Sequence, residues 1–217
     1  MNATLELLST MKSGVLSFSN IPDFDADSLA HWLGRRIVPT SGLPYAIAQH
    51  RDDPSNFSDR TEYFDWHSDG LYKIHPPRYV LLHCCDAGVE SIPTEVVSIK
   101  ACLDKISEDS LYTLGKLCSY YIGHNGNFIH PILSLKGMLL ASRGFIIPLS
   151  GLSLLEQPSI RDISATLTEV YQLLDANAVP YHWKTGDTLV FDQYQYLHRR
   201  NSSVIDKQRK LIRMWFT

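Results

Sequence analysis

The sequence predicts a mainly β protein with flanking helices, arranged as a sandwich or jelly-roll barrel. Three observations lead there. Short apolar or alternating runs recur along the chain, as in Gly14-Val15-Leu16-Ser17-Phe18 and Arg78-Tyr79-Val80-Leu81-Leu82-His83-Cys84, and such residues suit a pleated, half-buried surface. Glycine and proline punctuate the runs, and Pro76-Pro77 stands directly before the second of them, which excludes a helix across that boundary. Helical spacing is confined to a few segments and does not alternate with every strand, which argues against βαβ units. With 217 residues, 44% of them apolar, the chain can bury one core, and a single domain over residues 1–217 is expected.

Taken in order, Ala3 to Lys12 reads as a short helix ahead of the strand at Gly14 to Phe18. Asp25 to Arg36 carries Leu29, Trp32 and Leu33 at helical spacing behind an acidic start, the pattern of a helix N-terminus. Gln49 to Thr61, with Asp52, Asp53, Pro54, Ser55 and Asn56, reads as a loop. Beyond the strand at Arg78 to Cys84, residues 96 to 117 look helical, with Val96, Ile99, Leu103, Ile106, Leu111 and Leu114 as the stripe. Tyr120 to Leu152 returns to short strands, and Ser159 to Leu174 is a second helix. Tyr181 to Phe191 and Lys210 to Phe216 read as strands paired with each other, joined by the polar stretch Arg199 to Gln208.

Composition excludes several functions. A net charge of -3 argues against nucleic acid or an acidic membrane as the partner of the whole protein. No segment approaches the roughly 20 apolar residues of a membrane helix, and the start, with Glu6 and no apolar run behind a basic flank, does not read as a secretory leader. Cys84, Cys85, Cys102 and Cys118 lack a CxxC spacing, and neighbours in a strand point to opposite faces. A reducing cytoplasm is expected.

Two features carry chemistry. His67 and Asp69 stand two apart, so in a strand imidazole and carboxylate project from one face. HxD alone occurs by chance in many loops, but a remote histidine, His198, follows the turn and apolar run Trp183-Lys184-Thr185-Gly186-Asp187-Thr188-Leu189-Val190-Phe191-Asp192. His198 is expected at that strand's far end. Two histidines and one carboxylate leave adjacent metal positions open, as oxygen activation with a chelating co-substrate requires. His83 reads as a satisfied core residue, while His75, His124, His130 and His182 read as hydrogen-bonded or exposed, and His31 and His50 carry no pattern. The second feature is Arg209 and Arg213, four apart in the run to Phe216 with Leu211 between them. In a strand they share a face about 13 Å apart. Either they capture carboxylates on a mostly apolar face, where unneutralised guanidinium groups are costly, or they face solvent while Ile212 and Trp215 fill the core.

Three blocks together resemble the taurine dioxygenase and clavaminate synthase-like group of iron(II)/2-oxoglutarate oxygenases. They are Trp66-His67-Ser68-Asp69-Gly70 with Pro76-Pro77-Arg78-Tyr79-Val80-Leu81-Leu82, then Trp183-x-x-Gly186-Asp187-Thr188-Leu189-Val190-Phe191-Asp192 leading to Leu197-His198, and finally Arg209-x-Leu211-x-Arg213-x-Trp215-Phe216. Thr94, 27 residues beyond His67, falls where the family places a hydroxyl on 2-oxoglutarate. The resemblance covers residues 14 to 217 and implies a double-stranded β-helix (jelly-roll, cupin-like) fold. It implies that His67, Asp69 and His198 bind iron(II), that Arg209 and Thr94 hold the distal carboxylate of 2-oxoglutarate, and that Arg213 meets an acidic group of the prime substrate. The implied reaction consumes O2 and 2-oxoglutarate, releases succinate and CO2, and hydroxylates or otherwise oxidises a small acidic molecule, an amino acid or derivative of specialised metabolism. Asp69 keeps the carboxylate that halogenating relatives replace. Tyr63, four residues before His67, is a candidate wall of the substrate pocket or a packed core residue. The family's frequent glycine pair before the threonine is absent, and Gln193 stands where Asn is frequent. An oligomer remains compatible with the shorter lid region. So do two rivals: a non-catalytic jelly-roll sensor or accessory protein, and a cupin-like metalloenzyme independent of 2-oxoglutarate.

Overall fold

Pleat-forming runs become fifteen strands in a computed structural model that describes residues 14–19, 36–37, 46–49, 64–90, 92–123, 126–134, 137–138, 140, 145–148, 157–201 and 208–216. The first six are β1 (Val15–Phe18), β2 (Arg36–Ile37), β3 (Ala46–Gln49), β4 (Phe64–His67), β5 (Tyr79–Asp86) and β6 (Thr94–Ser98). Two short helices follow, α1 (Ile99–Leu103) and α2 (Glu108–Leu114). Next come β7 (Leu117–Gly123), β8 (Gly126–Pro131), β9 (Leu133–Ser134), β10 (Gly137–Met138) and β11 (Phe145–Pro148). Helix α3 (Ile160–Ala176) precedes β12 (Val179–Tyr181), β13 (Thr188–Asp192), β14 (Tyr196–Arg200) and β15 (Lys210–Phe216).

All strand pairs among the described residues are antiparallel. A major sheet has the order β1-β13-β5-β15-β2, with β3 also on β15, and a minor sheet the order β12-β6-β14-β4. This is the double-stranded β-helix that the sequence predicts. A third sheet, β11-β7-β8, extends the structure.

Alternation along the strands sorts the core into two layers. Val80, Leu82, Cys84, Val96, Leu189, Phe191, Leu211 and Trp215 pack together between the sheets. Trp66, Val97 and Leu197 leave the opposite face of the minor sheet and pack with Cys102, Leu114, Val170 and Leu174 of the helices. Helix α3 begins at a full capping box, in which the Ser159 side chain and Asp162 satisfy each other's backbone N–H.

The structure corrects several expectations. The helical stripe over 96–117 breaks into the end of β6, α1, α2 and the start of β7, because the Ser98 and Ser107 side chains cap new helices inside it. Leu111 is left 38% exposed, off the stripe. β13 and β15 do not pair with each other; both pair with β5, one on each side. Arg36 and Gln49, at the margins of an expected helix and an expected loop, belong to strands. The rest of those two segments, the helix expected at 3–12, and Tyr63, His31, His50 and His124 lie outside the described residues.

Candidate metal and co-substrate site

β4 and β14 run side by side, with His67 directly opposite His198. Both rings face the space between the sheets, their centroids 4.1 Å apart, and Phe191 of the major sheet closes on His198 at 4.9 Å. The Asp65 carbonyl accepts from His67 Nδ1 at 2.7 Å. A carbonyl can only accept, so Nδ1 carries a proton, and Nε2 is the nitrogen that can offer a lone pair. Burial, with His67 close by, pushes the His198 pKa down to about 3, leaving that ring neutral at pH 7 as a metal ligand must be.

Asp69 does not share a strand with His67. β4 ends at His67, and Asp69 lies in the turn that follows. That turn passes through Gly70 at φ +70°, where an added Cβ would come within 2.7 Å of Pro77 Cδ, so only glycine is accommodated. The carboxylate is then drawn to the major sheet. Arg213 Nη1 donates to Oδ1 at 3.2 Å and Trp215 Nε1 to Oδ2 at 2.9 Å. Burial alone would raise the Asp69 pKa, but the Arg213 charge and the neighbouring histidines outweigh it and hold the carboxyl well below the usual carboxylate range. His198, likewise, does not end β13; it sits mid-way along β14 after a turn at 193–195.

One ligand atom from each of His67, Asp69 and His198 lies within 4.8 Å of the other two, and all three residues are buried. His67 Nε2 stands 3.6 Å from Asp69 Oδ1, and neither His67 Nε2 nor His198 Nδ1 has a hydrogen-bond partner. Buried polar nitrogens are rarely left so. Two neutral imidazoles and an ionised carboxylate meeting in this way fit a divalent cation of the iron type.

Thr94 opens β6, two residues before Val96, the cross-strand partner of His198. Its Oγ1 accepts from Arg209 Nη2 at 3.2 Å and from Trp183 Nε1 at 3.0 Å. Arg209, Leu211, Arg213 and Trp215 share one face of the β15 segment; Leu211 and Trp215 join the inter-sheet core, and Arg209 is 8% exposed. The solvent-facing alternative for these arginines is therefore wrong for Arg209, and Arg213 is only partly open.

The sequence model of the taurine catabolism dioxygenase TauD, TfdA family matches residues 5–215. The chain belongs to that family. It is a TauD/TfdA-type iron- and 2-oxoglutarate-dependent oxygenase. Its fold is similar to that of PvcB from Pseudomonas aeruginosa, with 19% identity, a TM-score of 0.72, and coverage of 98% of this chain and 79% of that one. It is also similar to an asparagine oxygenase solved with Fe(II), 3-hydroxyasparagine and succinate, at 14% identity, TM-score 0.78, and coverage of 99% and 79%. The non-heme iron oxygenase OrfP, solved with hydroxyarginine, matches at 14% identity and TM-score 0.74, with coverage of 100% and 79%. No curated protein matches by sequence.

Within this TauD/TfdA-family site, three supporting residues escaped sequence reasoning. Gln193, fully buried, accepts from the Asp69 N–H at 2.7 Å and donates from Nε2 to the Asp69 carbonyl at 3.1 Å and to the Pro77 carbonyl. Trp215 and Trp183 supply indole N–H groups to Asp69 and Thr94. The signal was present for each: one tryptophan ahead of an apolar strand, one within the last strand, and an amide directly after Asp192. The remaining described histidines behave as expected. His83 Nδ1 meets Thr188 Oγ1 at 2.8 Å, His130 Nε2 meets the Leu71 carbonyl at 3.0 Å, and His75 is exposed. No helix among the described residues is long and apolar enough to cross a membrane.

Proposed function

We propose that the chain oxidises, by hydroxylation, an unactivated C–H of a small acidic molecule, an amino acid or a derivative, with His67, Asp69 and His198 holding the metal. The observation that carries this reading is the meeting of those three ligand atoms beside the Thr94–Arg209 pair. Iron(II), when bound there, supplies the oxygen chemistry in which O2 and 2-oxoglutarate give succinate, CO2 and one oxygen atom for the substrate C–H.

The residues have separable tasks. His67 and His198 offer neutral lone pairs, and Asp69 offers charge without needing to lose a proton at neutral pH. Arg209 and the Thr94 hydroxyl receive the distal carboxylate of 2-oxoglutarate, with Trp183 fixing the hydroxyl. Arg213 spends Nη1 on Asp69, but its Nε has no hydrogen-bond partner. That donor is directed to the anionic group of the prime substrate, so Arg213 links the substrate's charge to a metal ligand. Amino-acid products bound in the similar asparagine oxygenase and OrfP structures support the substrate class. Four free cysteines support a reducing, cytoplasmic setting.

Anaerobic titration of the iron(II)-loaded protein with 2-oxoglutarate tests the co-substrate. The expected outcome is the visible charge-transfer band of a chelated 2-oxo acid, lost in His198→Ala. Succinate release with a panel of amino acids then tests the substrate class. Turnover without 2-oxoglutarate would instead favour a cupin-like enzyme, and metal binding without any turnover a sensor.

A further inference from the structure

The face of the minor sheet turned away from the site carries a second constellation. Alternation puts the neighbour of each site residue there: Trp66 beside His67, Arg199 beside His198, and Glu95 beside Thr94. The register brings these neighbours together, because Arg199 is the cross-strand partner of Glu95 while His198 is that of His67. Arg199 Nε donates to Glu95 Oε2 at 2.5 Å and Nη1 to Asp175 Oδ1, and the guanidinium lies 4.3 Å from the centroid of the Trp66 ring. Asp175 Oδ1 also accepts from Trp66 Nε1 at 2.9 Å. Asp175 belongs to the last turn of α3. One carboxylate on a helix thus ties β4 to β14 directly and reaches β6 through Arg199 and Glu95, and these three strands carry His67, His198 and Thr94.

The arrangement asks for an explanation beyond adhesion. The Arg199 side chain is 8% exposed, and burying a guanidinium is costly unless its donors are met. Apolar residues of similar volume would hold a helix to a sheet at least as well. What a forked, stacked guanidinium supplies instead is direction: it fixes where each strand lies relative to the others. The spacing of ligand atoms on the opposite face depends on that placement, and a metal site tolerates little error in it.

We infer that Asp175 and Arg199 are positioning residues that set the spacing of His67, His198 and Thr94 from the opposite face of the sheet. The inference rests on the metal and co-substrate roles proposed above. The Asp175 side chain is 55% exposed, so its replacement leaves the core intact, whereas Arg199→Ala puts folding at risk.

The test uses the full chain loaded with Co(II), whose ligand-field spectrum reports coordination geometry without turnover. Asp175→Ala is expected to weaken Co(II) binding and 2-oxoglutarate binding together, each by roughly tenfold, and to alter the Co(II) spectrum. Asp175→Asn, which keeps an acceptor for the Trp66 indole and loses the charge, is expected to fall between. Glu169→Ala is the structural control. Glu169 ties α3 to the Ser107 backbone N–H and hydroxyl, both at 2.7 Å, and touches nothing that leads to the site. It should lower thermal stability while leaving both affinities and the spectrum unchanged. Unchanged affinities in Asp175→Ala, or equal losses in Asp175→Ala and Glu169→Ala, overturn the inference while the metal assignment stands. Failure of the unaltered protein to bind Co(II) removes the metal assignment and this inference with it.

Discussion

The two sheets that face each other across the site contribute opposite chemistry and are supported in opposite ways. The minor sheet supplies two imidazoles and a hydroxyl, those of His67, His198 and Thr94, and its reverse face rests on the charged Arg199, Glu95 and Asp175. The major sheet supplies the charged Arg209 and Arg213, set among Leu211 and Trp215 in an apolar layer. Asp69 belongs to neither sheet. Its backbone is fastened by Gln193, and its carboxylate by Arg213 and Trp215 of the major sheet. The proposed metal triad is therefore divided, with the histidines held by one sheet and the carboxylate by the other. Any change that moves the sheets apart separates the ligands.

The largest expected effect comes from breaking that division outright. Asp69→Ala removes the ligand and leaves Arg213 without its counter-charge inside the barrel. Metal affinity should fall by more than about 100-fold, the upper end of what loss of a supporting partner costs, and coupled succinate formation should cease. Equilibrium dialysis with iron(II) checks the first and a succinate assay the second; retained activity would remove Asp69 from the ligand set. Next comes Gln193→Ala, which strands the Asp69 N–H and the Asp69 and Pro77 carbonyls. With each of the three buried orphans costing about 1–3 kcal/mol, a total loss of at least about 3 kcal/mol is expected in urea unfolding of the metal-free protein. Metal affinity should fall as well, because the turn at Asp69 loosens.

The two arginines sharpen the comparison within one sheet. Arg209→Ala should raise the KM for 2-oxoglutarate by roughly 10- to 100-fold, the equivalent of a charge-assisted hydrogen bond of about 1.5–3 kcal/mol, with a smaller change for the prime substrate. Arg213→Ala should chiefly raise the prime substrate's KM and, through Asp69, weaken the metal. Steady-state kinetics with each substrate varied in turn separates them. Exchanged phenotypes would reverse the assignment of the arginines and leave the triad untouched.

Much of this was legible in the sequence, and the failures have physical causes. The fold class followed from short strands between turn residues, and His67, Asp69 and His198, which meet in the candidate site, were singled out by HxD with a remote histidine. What misled was the assumption that spacing two apart implies one strand. Gly70 turns the chain immediately after Asp69, so His67 and Asp69 converge through a turn and a long-range amide, and a local pattern cannot encode a contact made by Gln193, 124 residues away. The pairing of β13 with β15 failed for a similar reason: both are apolar strands, and only the long-range registry places β5 between them. The stripe over 96–117 shows the converse, where Ser98 and Ser107 cap short helices inside a run whose apolar spacing looks continuous.

The smallest expected effect concerns the joint between α2 and α3. Hydrogen bonds from the Ser110 and Ser107 hydroxyls and the Ser107 backbone hold the Glu169 pKa below its ordinary value of 4.5. A carboxylate whose pKa is depressed on folding contributes stability above the unfolded value and loses it as the pH falls through the folded one. Glu169 is half-buried and its hydrogen bonds lie at the surface, where solvent screens them, so its share is small. Between pH 7 and pH 3 the unaltered protein should lose slightly more stability than Glu169→Gln, and the two unfolding curves should approach each other at the acid end. If Glu169→Gln shows the same acid dependence as the unaltered protein, the joint between α2 and α3 is held by geometry alone, and the Glu169 charge adds nothing to it.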